Sequence, residues 1–246
     1  MFTKKNNTHQ IFHDKRQLKQ LFNDRIYFGP FSGLRIPDNL YDVLSLAEIM
    51  GLYESCLHNT FSDLLNRNIK NIVIVGGNNG YYTAGLSYIF SPERYYVYEM
   101  DHKMHSLIES WYLKNKINLP TILGEANDKN FVNFDADIDL LLIDCEGAEK
   151  ILLDPEKFPW QKRSDIILEL HPFYVDNLIS LISKRFSSTH EIQLIYDDFN
   201  EDNKINKILK GLDMNIVYPQ HPTHRWIMED GKKVFTSGSF MYLKRK

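Results

Sequence analysis

The chain has 246 residues, with 29 Lys and Arg against 32 Asp and Glu and a formal net charge of −3. That length suits one α/β domain with a large core, and the scattered, nearly balanced charge excludes a general nucleic-acid binder held by phosphate contacts. Cys56 and Cys145 are far apart and form neither a metal-type pair nor a disulfide framework, which suits a reducing compartment. Met1 to Asn7 lacks an apolar leader and no apolar run is long enough to span a bilayer, so the expected location is cytoplasmic.

The first 50 residues are mixed in character. A charged segment from Asp14 to Arg25 precedes Gly29-Pro30-Phe31-Ser32-Gly33, which reads as a short helix followed by a loop or hairpin. Residues 1–50 are expected to be an extension packing on a core domain at 51–246. Tyr53, Leu57, Phe61, Leu64 and Leu65 recur at helical spacing, so a helix over Tyr53–Leu65 leads into the first strand. Strand and helix then alternate. Strands are expected at Ile72–Val75, Tyr95–Tyr98, Thr121–Leu123, Ile138–Ile143 and Ile166–Leu170. Helices are expected at Tyr81–Ile89, Lys103–Lys114, Ala148–Leu153 and Val175–Lys184. Such alternation implies a mostly parallel sheet with helices on both faces. Glu191–Ile195 and Ser239–Leu243 read as a final strand pair with one antiparallel strand at the edge, and Asp202–Leu212 as a polar helix before it.

The run Val73-Ile74-Val75-Gly76-Gly77-Asn78-Asn79-Gly80-Tyr81 carries the strongest chemical signal. A buried parallel strand ends in glycines and passes straight into a helix. About 19 residues past Gly80, Glu99 closes the next apolar run, a spacing at which an acidic side chain reaches ribose hydroxyls. A dinucleotide loop needs glycines at the first, third and sixth positions, and Asn78 and Tyr81 stand at the latter two, which disfavours NAD and FAD. A ribose-bearing cofactor without phosphate fits better, and S-adenosylmethionine is the common one. The plainer reading is that Gly76, Gly77 and Gly80 only make a tight turn.

Further motifs give the pattern a family resemblance. Ile143-Asp144-Cys145-Glu146-Gly147-Ala148-Glu149 resembles the I-D-x-E-G-A-E signature of the FkbM-type methyltransferases. Val75 to Gly80 is similar to that family's V-G-A-N-x-G loop, Gly51-Leu52-Tyr53-Glu54 to its G-x-Y-E segment, and Leu168-Glu169-Leu170-His171-Pro172 to its acidic-plus-His element. The resemblance covers about residues 51–172 and implies a Rossmann-like class I methyltransferase fold with a seven-stranded sheet. One position departs from the pattern. Enzymes of this kind usually carry Asp or Glu two residues before the first loop glycine, where this chain has Ile74; Glu54 is a candidate substitute.

Ligands of open α/β sheets bind outside the carboxyl ends of the strands. Gly76, Glu99, Glu125 and Asp144 each close an apolar run and should converge on one cleft. Gly76, Gly77, Asn78 and Gly80 are assigned to the methionine end and ribose edge of the cofactor, Glu99 to both ribose hydroxyls, and Met100 to the adenine. Glu125 and Ala126 resemble the G-D-A element that reads the adenine amino group in related enzymes, although a solvated loop carboxylate at Glu125 fits equally. Asp144 is the candidate at the reacting end, to hold the cofactor ammonium, orient the acceptor or take its proton; Asp also suits a helix N-cap there. Gly147 suits a close approach or a positive φ. Of Glu146 and Glu149, one is expected to face the pocket and the other solvent. Glu169 and His171 share a face of the fifth strand and read either as carboxylate and general base or as a core pair tying strand to helix.

Asp144, Glu146, Glu169 and His171 also offer donors for Mg²⁺; carboxylates at neighbouring strand ends occur without metals, and no metal is expected. His221-Pro222-Thr223-His224-Arg225-Trp226 reads as a loop, over the acceptor site or plainly on the surface, with Arg225 suited to an anionic group. The reaction the resemblance implies is O-methylation of a small hydroxylated acceptor, a sugar or glycoconjugate, with no nucleic-acid partner. The competing reading is a degenerate methyltransferase fold that binds cofactor or a partner without turnover.

Overall fold

In the central strands both faces are apolar, and both are covered. On β1 (Asn71–Val75) Ile72 and Ile74 pack into one hydrophobic cluster while Val73 and Val75 pack into another. On β4 (Leu140–Ile143) the same alternation sends Leu140 and Leu142 one way and Leu141 and Ile143 the other. A strand with period-two side chains and no polar face needs helices on both sides. The computed structural model describes residues 15–131, 134, 137–171, 177–197, 201–212, 226–229, 232–235 and 239–246.

The main sheet has seven strands in the order β3-β2-β1-β4-β5-β9-β6. Here β2 is Arg94–Tyr98, β3 Thr121–Leu123, β5 Asp165–Glu169, β6 His190–Tyr196 and β9 Ser239–Arg245. β1 pairs in parallel with β2 on one side and β4 on the other. The strand order therefore reverses between β1 and β4, which opens a crevice at their carboxyl ends. This is the Rossmann-like, mostly parallel seven-stranded architecture that the sequence implies.

One detail differs. β9 is antiparallel to both β5 and β6 and lies between them, so the antiparallel strand is next to the edge and β6 is the edge. The burial explains the order: Ser239 to Leu243 are all buried and need cover on both sides, whereas β6 is largely exposed. A second sheet, the hairpin of β7 (Trp226–Glu229) and β8 (Lys232–Phe235), was not expected. His221, His224 and Arg225 lie outside the described residues.

Helix starts shift where backbone dihedrals intervene. The helix expected from Tyr53 runs over His58–Leu64, because Glu54 is left-handed (φ 46°) and a 3-10 turn at Ser55–Leu57 comes first. The helix after β4 covers Glu149–Leu152, and the one after β5 is described over Leu178–Phe186. The polar helix before the last strands spans Glu201–Gly211. Among the described residues no helix is long and apolar enough to cross a membrane.

The N-terminal segment shares the core. Residues 15–21 are helical, and Arg25 bridges to Arg35. Leu18, Phe22, Ile26, Phe31 and Leu34 join the cluster that holds Ile72 and Ile74. The Phe31 ring fills the space a Cβ would take on Gly85, clamping this segment onto the helix Tyr81–Phe90. At the opposite end of the sheet from the crevice, the fully buried Asp165 carboxylate accepts from Arg67 Nη1 at 2.9 and 2.6 Å.

Candidate functional site

The crevice is shaped by how tightly β1 and β4 meet. Asp144 N–H donates to the Val75 carbonyl at 2.9 Å. Gly76 follows with φ +91°, and a Cβ there would lie 1.9 Å from the Asp144 carbonyl oxygen. Only glycine fits that approach. A Cβ on Gly77 would lie 2.7 Å from Val97 Cγ1, and one on Gly80 2.8 Å from Trp111 Cδ1. The chain's own packing thus requires all three glycines, and their effect on a ligand is indirect: they let the loop pack against the end of β4, against β2 and against the helix His102–Asn115.

Two carboxylates hold that loop. Glu99, 8% exposed, accepts the Asn78 N–H on Oε2 and the Asp101 N–H on Oε1, both at 2.7 Å. Glu48 Oε1 accepts from Asn79 Nδ2 at 2.6 Å, and Trp111 Nε1 donates to the Asn79 carbonyl at 3.1 Å. Ile74 is fully buried in the apolar cluster with Ile72. Without an acid at that position, the loop is held by Glu99 and Glu48. Glu54 stands apart: its Oε2 accepts from Tyr82 Oη at 2.5 Å, because its left-handed backbone turns the side chain toward the aromatic cluster.

A cavity of about 390 Å³ lies over the switch point. It is lined by Gly76, Asn78 and Glu99, by Met100, Met104, Glu125 and Ala126, and by Asp144, Cys145 and Glu146. Met100 is 72% exposed and sits at the rim. Gly77, Gly80 and Glu54 are not among the lining residues. Asp101 and Met104 line the cavity without having been singled out in sequence; the signal available was Asp101 as the N-cap of the helix His102–Asn115, where its side chain accepts from Lys103 N–H. A separate cavity of about 470 Å³ lies at the amino ends of β2 and β3, lined by Arg94 and Lys116 among others, and holds none of the candidate residues.

Beyond Asp144 the site becomes acidic. The chain leaves β4 through two left-handed residues, Glu146 (φ 50°) and Gly147 (φ 110°). This bend sends Glu146 to the cavity and Glu149 into the interior. Glu149 is fully buried, not solvated, with Oε1 at 2.5 Å from His171 Nδ1. His171 is also fully buried, and its Nε2 lies 3.6 Å from Asp144 Oδ1, 3.6 Å from Glu146 Oε2 and 3.8 Å from Glu169 Oε2. Asp144 is not a helix cap: the N-cap of Glu149–Leu152 is Ala148, with no side-chain hydrogen bond.

The electrostatics follow from this crowding. Burial pushes the Asp144 carboxyl above its ordinary range and the Glu146 charge adds to this, while His171 opposes it. Burial alone would lower the His171 pKa, but the Glu149 hydrogen bond and the charges of Glu169, Glu149 and Asp144 outweigh it and hold the imidazole above its ordinary value. Burial raises the Cys145 thiol, with Glu149 and Asp144 adding to it, so no reactive thiolate forms there.

No family model and no curated protein matches this chain. Among solved structures it is similar to an O-methyltransferase from Bacillus cereus in complex with S-adenosylhomocysteine, at 12% identity and a TM-score of 0.45, covering 100% of this chain and 93% of that one. It is similar to an O-methyltransferase of tomaymycin synthesis from Streptomyces achromogenes in complex with S-adenosylmethionine, at 11% identity and a TM-score of 0.48, covering 96% and 89%. It is also similar to a spermidine synthase from Thermotoga maritima, at 16% identity and a TM-score of 0.42, covering 74% and 56%. At these levels the likeness says nothing about what this chain binds or does, and the three proteins do not share one activity.

Proposed function

We propose that this chain is an S-adenosylmethionine-dependent methyltransferase acting on a hydroxyl of a small acceptor, a sugar or glycoconjugate by class. The observation that carries the reading is that Glu99 and Asp144 line one cavity across the strand-order switch. The resemblance to FkbM-type enzymes supports the acceptor class.

The residues fit the cofactor. Each Glu99 oxygen accepts one loop N–H and keeps a further lone pair, so the carboxylate is pre-oriented to take a ribose diol. Met100, Met104 and Ala126 offer apolar surface for a purine, with Glu125 beside them. Asn78 and the Gly76 backbone line the ribose edge, and Asp144 faces the end where an ammonium would sit. The bound cofactor supplies an electrophilic methyl group on a sulfonium. Positioning is the protein's main contribution to such a displacement, and alignment can supply several kcal/mol.

A hydroxyl acceptor must also lose its proton. Asp144, at the cavity's acidic end, takes that proton or orients the acceptor, and Glu146 beside it holds polar groups of the acceptor. Glu169 sets the charge around His171. Glu149 fixes His171 so that Nε2 faces Asp144. Glu99 and Glu48 hold the loop without an acid at Ile74; the competing reading, a cofactor-binding fold without turnover, predicts binding without label transfer. In this reading residues 1–50 are an extension on a methyltransferase domain at 51–246, and Cys56 and Cys145, which form no disulfide, suit the cytoplasm.

A radiolabelled-methyl screen against hydroxylated metabolites and glycans tests the reading. Label should pass to a hydroxyl-bearing acceptor, and Asp144→Ala should abolish the transfer with an unchanged circular dichroism spectrum. Full activity in Asp144→Ala removes Asp144 from the mechanism. Label transfer only to amines or thiols overturns the O-methylation reading.

A further inference from the structure

We infer that Asp144, Glu169 and His171 form a binding site for one divalent cation, against the expectation from sequence. The donor atoms of these three side chains all lie within 4.8 Å of one another. Divalent cations hold oxygen and nitrogen ligands at about 2.0–2.5 Å, so one ion between them reaches all three. His171 Nε2 is 3.6 Å from Asp144 and 3.8 Å from Glu169. These separations exceed a direct hydrogen bond and match two ligands of a shared central atom. Carboxylate oxygens of Asp144 and Glu169 lie within 4.8 Å of each other, and like charges that close favour a cation between them.

The histidine is mounted as a ligand is. Metal-bound imidazoles almost always give their second nitrogen to a carboxylate, a backbone carbonyl or water, which fixes the ring. Here Glu149 takes that part at 2.5 Å, with both side chains fully buried. The other Glu149 oxygen is buried with no hydrogen-bond partner among the described residues. A buried carboxylate so placed adds negative charge behind the imidazole and favours a cation in front of it. Glu146, 3.6 Å from Nε2 on the side facing the cavity, adds a fourth acidic group near the same point. Two carboxylates and one imidazole suit Mn²⁺ and Mg²⁺, with Zn²⁺ as a competitor. Asp144 also lines the cavity, so the open coordination positions face the acceptor space. The ion's part in methyl transfer rests on the function proposed above; its binding does not.

The test is Mn²⁺ titration of the purified full chain, read by the electron paramagnetic resonance signal of the free ion. One ion per chain should bind, and Asp144→Asn and Glu169→Gln should each weaken binding at least tenfold. Spin-echo modulation from an imidazole nitrogen should appear in the unmodified protein, a readout independent of variant folding. Zn²⁺ and Mg²⁺ should displace the bound Mn²⁺. A free-ion signal undiminished at millimolar metal, binding without nitrogen modulation, or binding unchanged in both variants overturns the site. Cofactor binding, measured on metal-free protein by calorimetry, decides the methyltransferase reading separately.

Discussion

A Cβ on Gly76 would stand 1.9 Å from the carbonyl oxygen of Asp144. The first cofactor-loop residue and the candidate reacting carboxylate are thus locked together through backbone. Gly76→Ala must push the end of β4 away or break the Val75–Asp144 hydrogen bond. At φ +91° it also strains the alanine. A loss of about 3 kcal/mol or more is expected, seen as a lower urea midpoint. Stability within 0.5 kcal/mol of the parent, roughly the scale of a neutral surface change, would show that the strand ends are not in such contact.

In the proposed function Glu99 holds the loop and takes the ribose diol, and one substitution weakens both. Glu99→Gln keeps the shape but turns a donor toward one of the two loop N–H groups. A charged hydrogen bond is worth about 1.5–3 kcal/mol, so S-adenosylhomocysteine should bind about 10- to 100-fold more weakly. Calorimetric titration of the variant reads this directly. Unchanged affinity would take Glu99 out of the cofactor site.

Much of this was legible in the sequence because it is local. The apolar runs of β1, β2 and β4 announce themselves, and a parallel sheet puts their carboxyl ends on one side. Glu99 and Asp144 therefore reach one cavity, as their places after those runs suggest. What was hidden depends on contacts between distant segments. Glu149 sits in a polar-looking stretch, yet the two left-handed residues before it turn it under His171, 22 residues on. Glu48 reaches Asn79 across 31 residues. β9 slips between β5 and β6 because its burial needs neighbours on both sides, which no local pattern states. Glu54, matched by motif, is not among the residues lining the cavity and accepts from Tyr82 instead.

Arg67 and Asp165 tie the loop before β1 to the start of β5. Asp165 is fully buried, and Arg245 Nε at 3.5 Å is its second cationic neighbour. Arg67→Met leaves the carboxylate with that more distant cation and with hydrogen bonds from Tyr242 Oη at 3.3 Å and the Arg245 N–H at 3.1 Å. Breaking a buried pair costs about 3–5 kcal/mol, and Arg245 places this case at the lower end. Chemical denaturation should show a reduced midpoint with an unchanged slope. An unaltered midpoint would mean that Arg245 and Tyr242 satisfy Asp165 without Arg67.

His190 makes stability depend on pH. It is 2% exposed, with Nε2 at 2.8 Å from the Ser164 carbonyl and Nδ1 at 2.8 Å from Thr189 Oγ1. Burial lowers its pKa, and Lys246 acts the same way, against the carbonyls of Ser164 and Phe186 and the charge of Asp165. A lowered folded value means that its contribution is present above the unfolded value of about 6.5 and is lost as pH falls through the folded one. The melting temperature should decline on acidification below about pH 6.5, and His190→Gln should flatten the decline. His58, lowered by burial and by Lys204, adds to the decline, while His171, held above its ordinary value, opposes it. A variant profile that overlays the parent would assign the whole effect elsewhere.

The central claim is that a sulfonium nucleoside occupies the cavity between Glu99 and Asp144. Isothermal titration of the unmodified protein with S-adenosylmethionine, and with NAD in parallel, tests it most directly. The account predicts saturable binding of one S-adenosylmethionine per chain and none of NAD. Heat from NAD alone, or no heat from either ligand at millimolar concentration, would contradict it.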